Sequence, residues 1–398
     1  MPVYSHSRLE TFETCPLKYK FRYIDKIKKP VEGVEAFVGK RVHEALQKLY
    51  DDLLFGKRNT VEELVAFYRE RWKKDWGPGV QIVDVRRSAK DYYNLGAECI
   101  RVFYGKNKPF QQSQTIATEE RLDFPLDSAG RYRITGLVDR IARRDEGTYE
   151  IHDYKTSKAV PAQSEADTSR QLALYQIGIS AKWKDVERVE LIWHYVRFGV
   201  TQRSTRTAQQ LTQLRETTAG LIDRIESTKS FEPHKSRLCD WCEYKPDCPL
   251  WKHVVKVEAL PAAEFKTENG VKLADSYAGT KLEIQRLEDL LENLREQIIA
   301  FAKQQDVSVL QGSGVRVSVS TRDRAVFPEK NDPERPQLEM FVREAGKWEE
   351  VAVLSTFELR RVLEEEAWPV ALLEKLGTFA RREPKTTIRI QAGDEESE

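Results

Sequence analysis

Two short hydrophobic runs that end in charged residues constrain this sequence more than any other feature. The first run ends at Asp139, and the second carries Asp153 and Lys155. The turn sequence Asp145-Glu146-Gly147 separates them, which predicts two adjacent antiparallel strands. Such strands bring the two carboxylates within reach of one cation. Because Asp153 and Lys155 are two residues apart, their side chains project from the same face of the second strand.

This combination of residues predicts metal-assisted chemistry. Carboxylate oxygens are the ligands that Mg²⁺ and Mn²⁺ prefer. A cation held there lowers the pKa of a bound water and stabilises charge on a phosphate, and a nearby lysine supports the charge of the transition state. An isolated Asp-x-Lys is usually a solvated charged face. A hydrophobic strand ending in Asp, a turn and a second strand with Asp-x-Lys are a much rarer combination.

The hydrophobic periodicity around these strands predicts an α/β core. Apolar residues recur at helical spacing on both sides of a region in which they alternate. Strands interleaved with helices favour a sheet covered by helices. The predicted helices cover residues 35–55, 61–73, 84–104, 168–182 and 208–228, and the predicted strands cover 122–126, 132–137, 148–154 and 189–197.

Gly136-Leu-Val-Asp139, followed by Asp153-Tyr-Lys155, resembles the motifs of the PD-(D/E)XK nuclease superfamily. More narrowly, the chain resembles the RecB-like branch, which includes the nuclease domains of RecB and AddB and the CRISPR-associated RecB-like exonucleases. Gly39-Lys-Arg-Val-His43, Gln171-Leu-Ala-Leu-Tyr175 and the stretch 7–16 resemble three further motifs of that branch. The resemblance implies a restriction-endonuclease-like mixed sheet flanked by helices, and we expect it over residues 1–256.

The resemblance also implies a metal site and a catalytic residue. His43, Asp139, Asp153 and the backbone carbonyl of Tyr154 would bind Mg²⁺ or Mn²⁺, and Lys155 would be the catalytic lysine. His43, Asp139 and Asp153 would thus take part in catalysis as ligands.

The resemblance assigns further residues to the site, on a helix and before the first of the two strands. Gln171 and Tyr175, at positions i and i+4, share one helix face and would contact DNA. The family often has an acid before the first of the two strands, and Glu119 fits that place best, with Glu120 as its rival. Without this context, a histidine such as His43 on an amphipathic helix is more often a structural residue.

Three cysteines predict a second metal site. Cys239, Cys242 and Cys248 have the spacing C-x₂-C-x₅-C, and Cys15 is the candidate fourth ligand. Four thiolates bind either structural zinc or an iron–sulfur cluster, and spacing alone slightly favours zinc. The family resemblance favours a [4Fe–4S] cluster, because several RecB-like nucleases hold one with this layout. Cys99 has no place in it, and we expect it to be a buried thiol.

The charge of the chain is unevenly distributed. The net charge is +1, but residues 1–256 carry 45 basic and 36 acidic residues (+9), and residues 257–398 carry 20 and 28 (−8). A basic half is typical of nucleic-acid binding. Within residues 18–29, Tyr19, Phe21 and Tyr23 alternate with basic residues, a pattern that suits phosphate contacts and base stacking on single-stranded DNA. The alternative is that these aromatic residues belong to the core.

Residues 257–390 predict an α+β accessory domain of unknown role, followed by an acidic disordered tail over 391–398. A long charged helix in this region carries a heptad seam. Because the seam covers fewer than three heptads, packing within its own domain is favoured over an intermolecular coiled coil. The seam residues are Ile284, Leu287, Leu291, Leu294, Ile298 and Phe301.

Together these observations predict a metal-dependent deoxyribonuclease that hydrolyses phosphodiester bonds. We expect an exonuclease acting on single-stranded or frayed DNA, in repair, recombination or CRISPR-linked processing. The chain has no nucleotide-binding G-x-x-x-x-G-K-[ST] motif, so unwinding would come from a helicase or another protein bound through residues 257–398. No apolar run could span a membrane, which predicts a cytoplasmic protein. The alternatives are a catalytically inactive DNA-binding or scaffolding protein on a nuclease fold and a zinc-stabilised interaction protein.

Overall fold

The computed structural model of the chain describes residues 2–320, 328–329, 331–352 and 355–380. These residues divide into two compact units, Met1–Phe265 and Lys266–Glu398. The first unit ends nine residues after the predicted boundary at Lys256. The predicted acidic tail, 391–398, lies outside the described residues.

A six-stranded mixed sheet forms the centre of the first unit. Strand β5 is its hub, because it pairs with β4 along one edge and with both β1 and β6 along the other. Strands β4, β5 and β6 are consecutive and antiparallel, β7 is parallel to β6, and β8 is antiparallel to β7. The strand bounds are β1 (Val3–Tyr4), β4 (Gln114–Pro125), β5 (Arg133–Asp145), β6 (Thr148–Lys155), β7 (Arg188–Tyr195) and β8 (Val200–Ser204), with β2 (Glu32–Gly33) and β3 (Val80–Gln81) in a separate parallel pair.

Helices cover both faces of this sheet. Three of the long helices begin at capping boxes, Thr60 with Glu63, Ser88 with Asp91 and Thr207 with Gln210, which satisfy the free N–H groups of the first turn. The helices are α1 (His6–Thr14), α2 (Pro16–Tyr19), a π-helical turn (Lys20–Ile24), α3 (Val34–Leu54), α4 (Val61–Asp75), α5 (Ala89–Asn107), α6 (Gln163–Thr168), α7 (Arg170–Lys182), α8 (Ala208–Ser227), two 3₁₀ turns (Arg237–Trp241 and Lys245–Asp247), α9 (Lys252–Glu258) and α10 (Ala262–Phe265).

Two hydrophobic cores lie on opposite faces of the sheet. One packs α1, α7 and α8 against residues such as Leu122 and Ile151, and the other packs α3, α4 and α5 against Tyr154 and Val196. Strand β6 is buried on both faces, so its alternating side chains belong to different environments. The predicted α/β class, with a mixed central sheet between helices, is confirmed.

The second unit contains the predicted long helix, α11, over Asn269–Gln304. A hairpin of two short strands follows it, and the described residues after the hairpin include helices α12 to α15. The bounds are β9 (Val309–Gln311), β10 (Arg316–Ser318), α12 (Arg335–Glu344), α13 (Trp348–Val351), α14 (Thr356–Glu364) and α15 (Val370–Gly377). None of the described helices in either unit has the length and apolar character needed to cross a bilayer.

The heptad seam of α11 is exposed, contrary to the favoured prediction. Leu287 is 54% exposed and Leu291 is 67% exposed, whereas Val271 and Ala302, near the two ends of the helix, are buried. Within the part of the second unit that the structure describes, the seam therefore does not pack into a core. The prediction that it packs within its own domain is wrong for these residues.

Candidate metal-dependent active site

A fork between strands β5 and β6 places the two motif carboxylates together. The ladder between the strands ends at the pair Arg140 and His152, and Asp139 and Asp153 are the next residues on each side. Beyond that point β6 continues to pair with β7 as far as Lys155. The backbone N–H of Tyr154 donates to Oδ2 of Asp139 at 2.8 Å, which spans the opening of the fork.

A distorted backbone in β4 adds Glu119 to this fork. Glu119 has φ of +48°, in the left-handed region that a non-glycine residue seldom adopts. Its neighbours pair regularly with β5, Thr118 with Arg140 and Glu120 with Val138, so Glu119 lies opposite Asp139. Strained backbone of this kind concentrates at functional sites, where it directs a side chain.

Helix α3 brings His43 to the same place. Nε2 of His43 lies 2.6 Å from the carbonyl oxygen of Tyr154, and Nδ1 lies 3.4 Å from Oδ2 of Asp139. One potential ligand atom from each of His43, Glu119 and Asp139 lies within 4.8 Å of the others. The structure thus brings Glu119 to His43 and Asp139, while the rival Glu120 forms an ion pair with Lys182.

The close approach of helix α3 to the end of β6 depends on a glycine. A Cβ atom at Gly39 would lie 3.1 Å from Oγ1 of Thr156, tighter than most contacts of this kind. Gly39 is four residues before His43, so it lies one turn away on the same side of the helix. The Gly39-to-His43 motif therefore combines a close contact with a functional side chain.

The fork holds an excess of negative charge. Burial favours the neutral form of Glu119, and the charge of Asp139 adds to this, so the pKa of Glu119 is raised. Burial also raises the pKa of Asp153, although Lys155 opposes the shift. Burial disfavours the charged form of His43, but its hydrogen bond to Asp139 and that residue's charge outweigh burial and raise the pKa of His43 to about 9. Each shift reflects carboxylates that an added cation would stabilise.

Lys155 and Gln171 hold the second motif carboxylate. Nζ of Lys155 lies 2.8 Å from Oδ2 of Asp153 and donates to Oε1 of Gln171 at 3.0 Å. Nε2 of Gln171 donates to Oδ1 of Asp153 at 3.1 Å. Oδ2 of Asp153 is buried, and the partner that the structure gives it is the ammonium group of Lys155. Gln171 thus orients both charged groups, and one carboxylate oxygen keeps the capacity for a further ligand.

Tyr175 packs beneath the site. A Cβ atom at Gly136 would come within 2.1 Å of the Tyr175 ring, so the absence of a side chain at Gly136 makes room for this aromatic residue. Tyr175 is buried in the core that contains Ile151. The predicted DNA contact of Gln171 and Tyr175 stays a prediction, because the contacts that the structure gives them are with protein groups.

The structure places Cys15, from the N-terminal segment, next to residues 234–248, which carry the other three predicted cysteine ligands. The backbone N–H groups of His234 and Ser236 donate to the sulfur atoms of Cys15 and Cys239, both at 3.4 Å. Burial raises the pKa of Cys242, and Cys15 contributes to the shift. Cys15, Cys239, Cys242 and Cys248 are half-buried free thiols, whereas Cys99 is buried in a helical core, as expected.

The basic stretch 18–29 packs against the cysteine segment. Lys18 pairs with Glu243 at 2.8 Å and Lys29 with Asp247 at 2.5 Å. Tyr19 is buried beside Phe12 and Phe231, and the Phe21 ring lies 5.4 Å from the Tyr244 ring. The base-stacking interpretation is therefore wrong for Tyr19, and the alternative, a structural role for these aromatic residues, describes Tyr19 and Phe21.

Sequence reasoning missed a buried polar network on the opposite face of β6. Glu150 and His152 lie on this face, and His152 contacts His194 of β7, with the nearest nitrogen atoms 2.9 Å apart. Both histidines are buried. The sequence contains a signal for this network, because Glu150, His152 and Tyr154 alternate with Ile151, Asp153 and Lys155. The alternation indicates that the strand has polar groups on both of its faces. Only the second set matched a known motif.

Comparisons with known proteins identify the family of this chain. Residues 3–249 match the sequence profile of the PD-(D/E)XK nuclease superfamily. The Gene 69 protein of Mycobacterium phage D29 is 21% identical over 277 residues, which cover 63% of this chain and 98% of that protein. A solved structure described as a "Putative exonuclease" from Eubacterium rectale covers 61% of this chain and 87% of its own, with 12% identity and a TM-score of 0.37. Because the superfamily profile spans more than half of the sequence, the chain belongs to the PD-(D/E)XK nucleases.

Proposed function

We propose that this nuclease is a metal-dependent exonuclease of the RecB-like branch that degrades single-stranded or frayed DNA during repair, recombination or related processing. The observation that carries the proposal is the convergence of His43, Glu119 and Asp139 beside the Asp153–Lys155 pair. These groups supply both ligands for a divalent cation and a positive charge next to it. A non-catalytic scaffold would not need this combination in one half-buried fork.

The residues of the fork fit Mg²⁺ or Mn²⁺. Oxygen atoms dominate the donor set, as these hard cations require, and Oδ2 of Asp153 is buried with the ion-paired Nζ of Lys155 beside it. We assign the cation to His43, Asp139, Asp153 and the carbonyl of Tyr154, and add Glu119 on the strength of its position. When bound, the cation supplies stabilisation of phosphate charge and activation of water.

The remaining groups would act by position and charge. Lys155 is the catalytic lysine of the proposal, since its Nζ can donate to a phosphate oxygen or orient the attacking water. Gln171 holds the side chains of Lys155 and Asp153 in position through one hydrogen bond to each. DNA contact by Gln171 and Tyr175 remains part of the proposal, as does a helicase or other protein partner at residues 257–398.

The four cysteines fit an iron–sulfur cluster or structural zinc by their chemistry. The N–H groups directed at Cys15 and Cys239 favour thiolate ligands, because hydrogen bonds to sulfur stabilise its charged form. We propose a [4Fe–4S] cluster on Cys15, Cys239, Cys242 and Cys248 that joins the N-terminal segment to the end of the nuclease unit. Cys242→Ser should lose iron and absorbance near ~400 nm, and Cys99→Ser should retain both. Stoichiometric zinc in the colourless wild type would establish the alternative.

The decisive experiment compares the wild type with Lys155→Ala on end-labelled single- and double-stranded DNA in Mg²⁺ or Mn²⁺. Lys182→Ala is the matched control, because Lys182 pairs with Glu120 outside the fork. The proposal expects the wild type and Lys182→Ala to release labelled nucleotides, and Lys155→Ala to lose this activity while remaining folded by circular dichroism. Equal cutting by all three would refute the catalytic assignment, and binding without cutting by the wild type would favour an inactive scaffold.

A further inference from the structure

The six seam residues of helix α11 form an exposed apolar stripe with a defined period. Ile284, Leu287, Leu291, Leu294, Ile298 and Phe301 are spaced alternately three and four residues apart. Five of them are 44–67% exposed, and Ile298 is partly buried. A continuous apolar stripe of this kind marks an interaction surface. Its mean spacing of 3.5 residues is the period at which one helix packs along another.

The seam extends over about 26 Å of helix at a rise of ~1.5 Å per residue. In heptad positions, Ile284, Leu291 and Ile298 occupy a, and Leu287, Leu294 and Phe301 occupy d. Every one of these six positions is large and apolar, so a second helix with the same pattern could fill each layer. A second copy of α11 has that pattern by definition.

Charges beside the seam distinguish the two directions in which two copies could pair. In a parallel pair, residue g of one helix faces residue e of the next heptad in its partner. This would place Glu283 of one copy against Glu288 of the other, and two such repulsions would result. The flanking charges therefore disfavour the parallel arrangement.

An antiparallel pair turns the same charges into attractions. When Leu291 of one copy faces Leu294 of the other, Ile284 faces Phe301 and Leu287 faces Ile298. The e positions then meet each other, which brings Glu288 of one copy to Arg295 of the other, twice by symmetry. All six apolar layers are filled in this register.

We propose that α11 pairs antiparallel with α11 of a second copy of this chain, through these six seam residues and two Glu288–Arg295 ion pairs. The contact is isologous, because the same surface is used on both chains and the assembly closes as a dimer. It would join two nuclease units in one particle. The inference does not depend on the proposed substrate, and its tests measure mass and affinity rather than cutting.

The first test is the mass of the full-length protein by sedimentation equilibrium over a range of concentrations. The wild type should be a dimer, and Leu291→Asp/Leu294→Asp should be a monomer with unchanged circular dichroism. Leu282→Asp/Ile299→Asp is the matched control, because these exposed apolar residues lie outside the a and d positions of the same helix. A monomeric wild type at ~100 μM, or a dimer that survives the seam double variant, would overturn the proposal.

The second test uses charge reversal to determine direction. Glu288→Arg and Arg295→Glu should each raise the dimer dissociation constant by about three- to tenfold, because each replaces two attractions with two repulsions. The double variant should restore the wild-type value, and Glu296→Arg, on the outer face of the helix, should leave it unchanged. Tighter association of the Glu288→Arg variant would indicate a parallel pair, since the introduced guanidinium would then attract Glu283, and would refute the antiparallel assignment.

Discussion

Two buried carboxylates three residues apart on strand β6 have opposite surroundings. Glu150 and Asp153 are 2% and 4% exposed, and they face opposite sides of the sheet. On the Glu150 side, several hydrogen-bond and ion-pair partners stabilise the charged carboxylate. The side of Asp153 supplies one lysine and one amide, together with the further negative charge of Asp139.

The Glu150 network is complete. His152 donates to Glu150 from Nε2 at 3.2 Å, and Arg203 donates to it at 3.3 Å. These contacts outweigh burial and lower the pKa of Glu150 to about 2. On the other face, burial and Asp139 raise the pKa of Asp153. The comparison separates a carboxylate that stabilises the fold from one that the fold keeps in an unfavourable state, and the second kind marks a functional site.

The largest expected effect is the loss of activity in Asp153→Asn. This change should reduce the rate of DNA cleavage at least about 100-fold, because it removes a charge from the proposed metal centre. It should not lower the melting temperature, since a carboxylate with a raised pKa opposes folding at neutral pH. Rates come from end-labelled DNA and stability from calorimetry. A large loss of stability would show that Asp153 is a structural residue.

Glu150→Gln should produce the reverse result. Removing this buried charge leaves His152 without its carboxylate and Arg203 with Glu190 alone, and should lower the free energy of unfolding by about 3 kcal/mol. Cleavage per folded molecule should remain within a few-fold of wild type. Urea denaturation monitored by circular dichroism measures the first quantity. A stable but inactive variant would remove the distinction between the two faces.

A divalent cation should stabilise the folded protein by binding on the Asp153 side of the sheet, and not on the Glu150 side. At 100 times its dissociation constant, Mn²⁺ should raise the free energy of unfolding by about 2.7 kcal/mol, by mass action. Asp139→Asn should lose most of this gain, and Glu150→Gln should keep it. Thermal shifts with and without Mn²⁺ provide the measurement. Equal gains in all three proteins would place the cation outside the fork.

Acid should remove the contribution of Glu150. Its folded pKa is about 2, below its ordinary value of 4.5, so the carboxylate stabilises the protein fully above pH 4.5. As the pH falls from 4.5 towards 2, the unfolded chain binds the proton first, and about 1 kcal/mol should be lost by pH 4. Urea titrations of the wild type between pH 6 and 4 should show a steeper loss than those of Glu150→Gln. Parallel pH profiles would contradict this origin of the stability.

The smallest expected effect is a difference in cleavage rate between variants of two neighbouring glutamates, Glu119 and Glu120. Glu119→Gln should slow cleavage about tenfold, since it removes one charge from the proposed cation site. Glu120→Gln should change neither cleavage nor stability by more than about 0.5 kcal/mol, because its ion pair with Lys182 lies at the surface. Steady-state rates of the two variants make a matched comparison. Equal rates would exclude Glu119 from the site.

Much of the fold could be predicted from the sequence because its signals are local. Apolar spacing at helical period predicted a helix over 35–55, and the structure has α3 at Val34–Leu54. Alternation predicted a strand over 148–154, and β6 covers Thr148–Lys155. Glu119 could only be ranked above Glu120, because its position depends on a left-handed backbone and not on side-chain period.

The aromatic residues of the stretch 18–29 show why local patterns were ambiguous. Alternating rings and basic groups suit both a single-stranded DNA surface and a packed segment. The outcome for Tyr19 depended on Phe231, which is more than two hundred residues away and lies near its ring. The outcome for the seam of α11 depended on whether other elements of its unit cover it.

Residue type and short spacing were enough to establish the superfamily, the order of its motifs and the α/β class from the sequence. Only the tertiary structure determined which side chains contact one another. The fold placed Glu119 with His43 and Asp139, paired Glu150 with His152, and left the seam of α11 exposed. Burial and electrostatic partners arise between segments that are distant in the chain, so no local pattern contains them. For that reason the same kind of side chain became a stabilising group at Glu150 and a candidate catalytic group at Asp153.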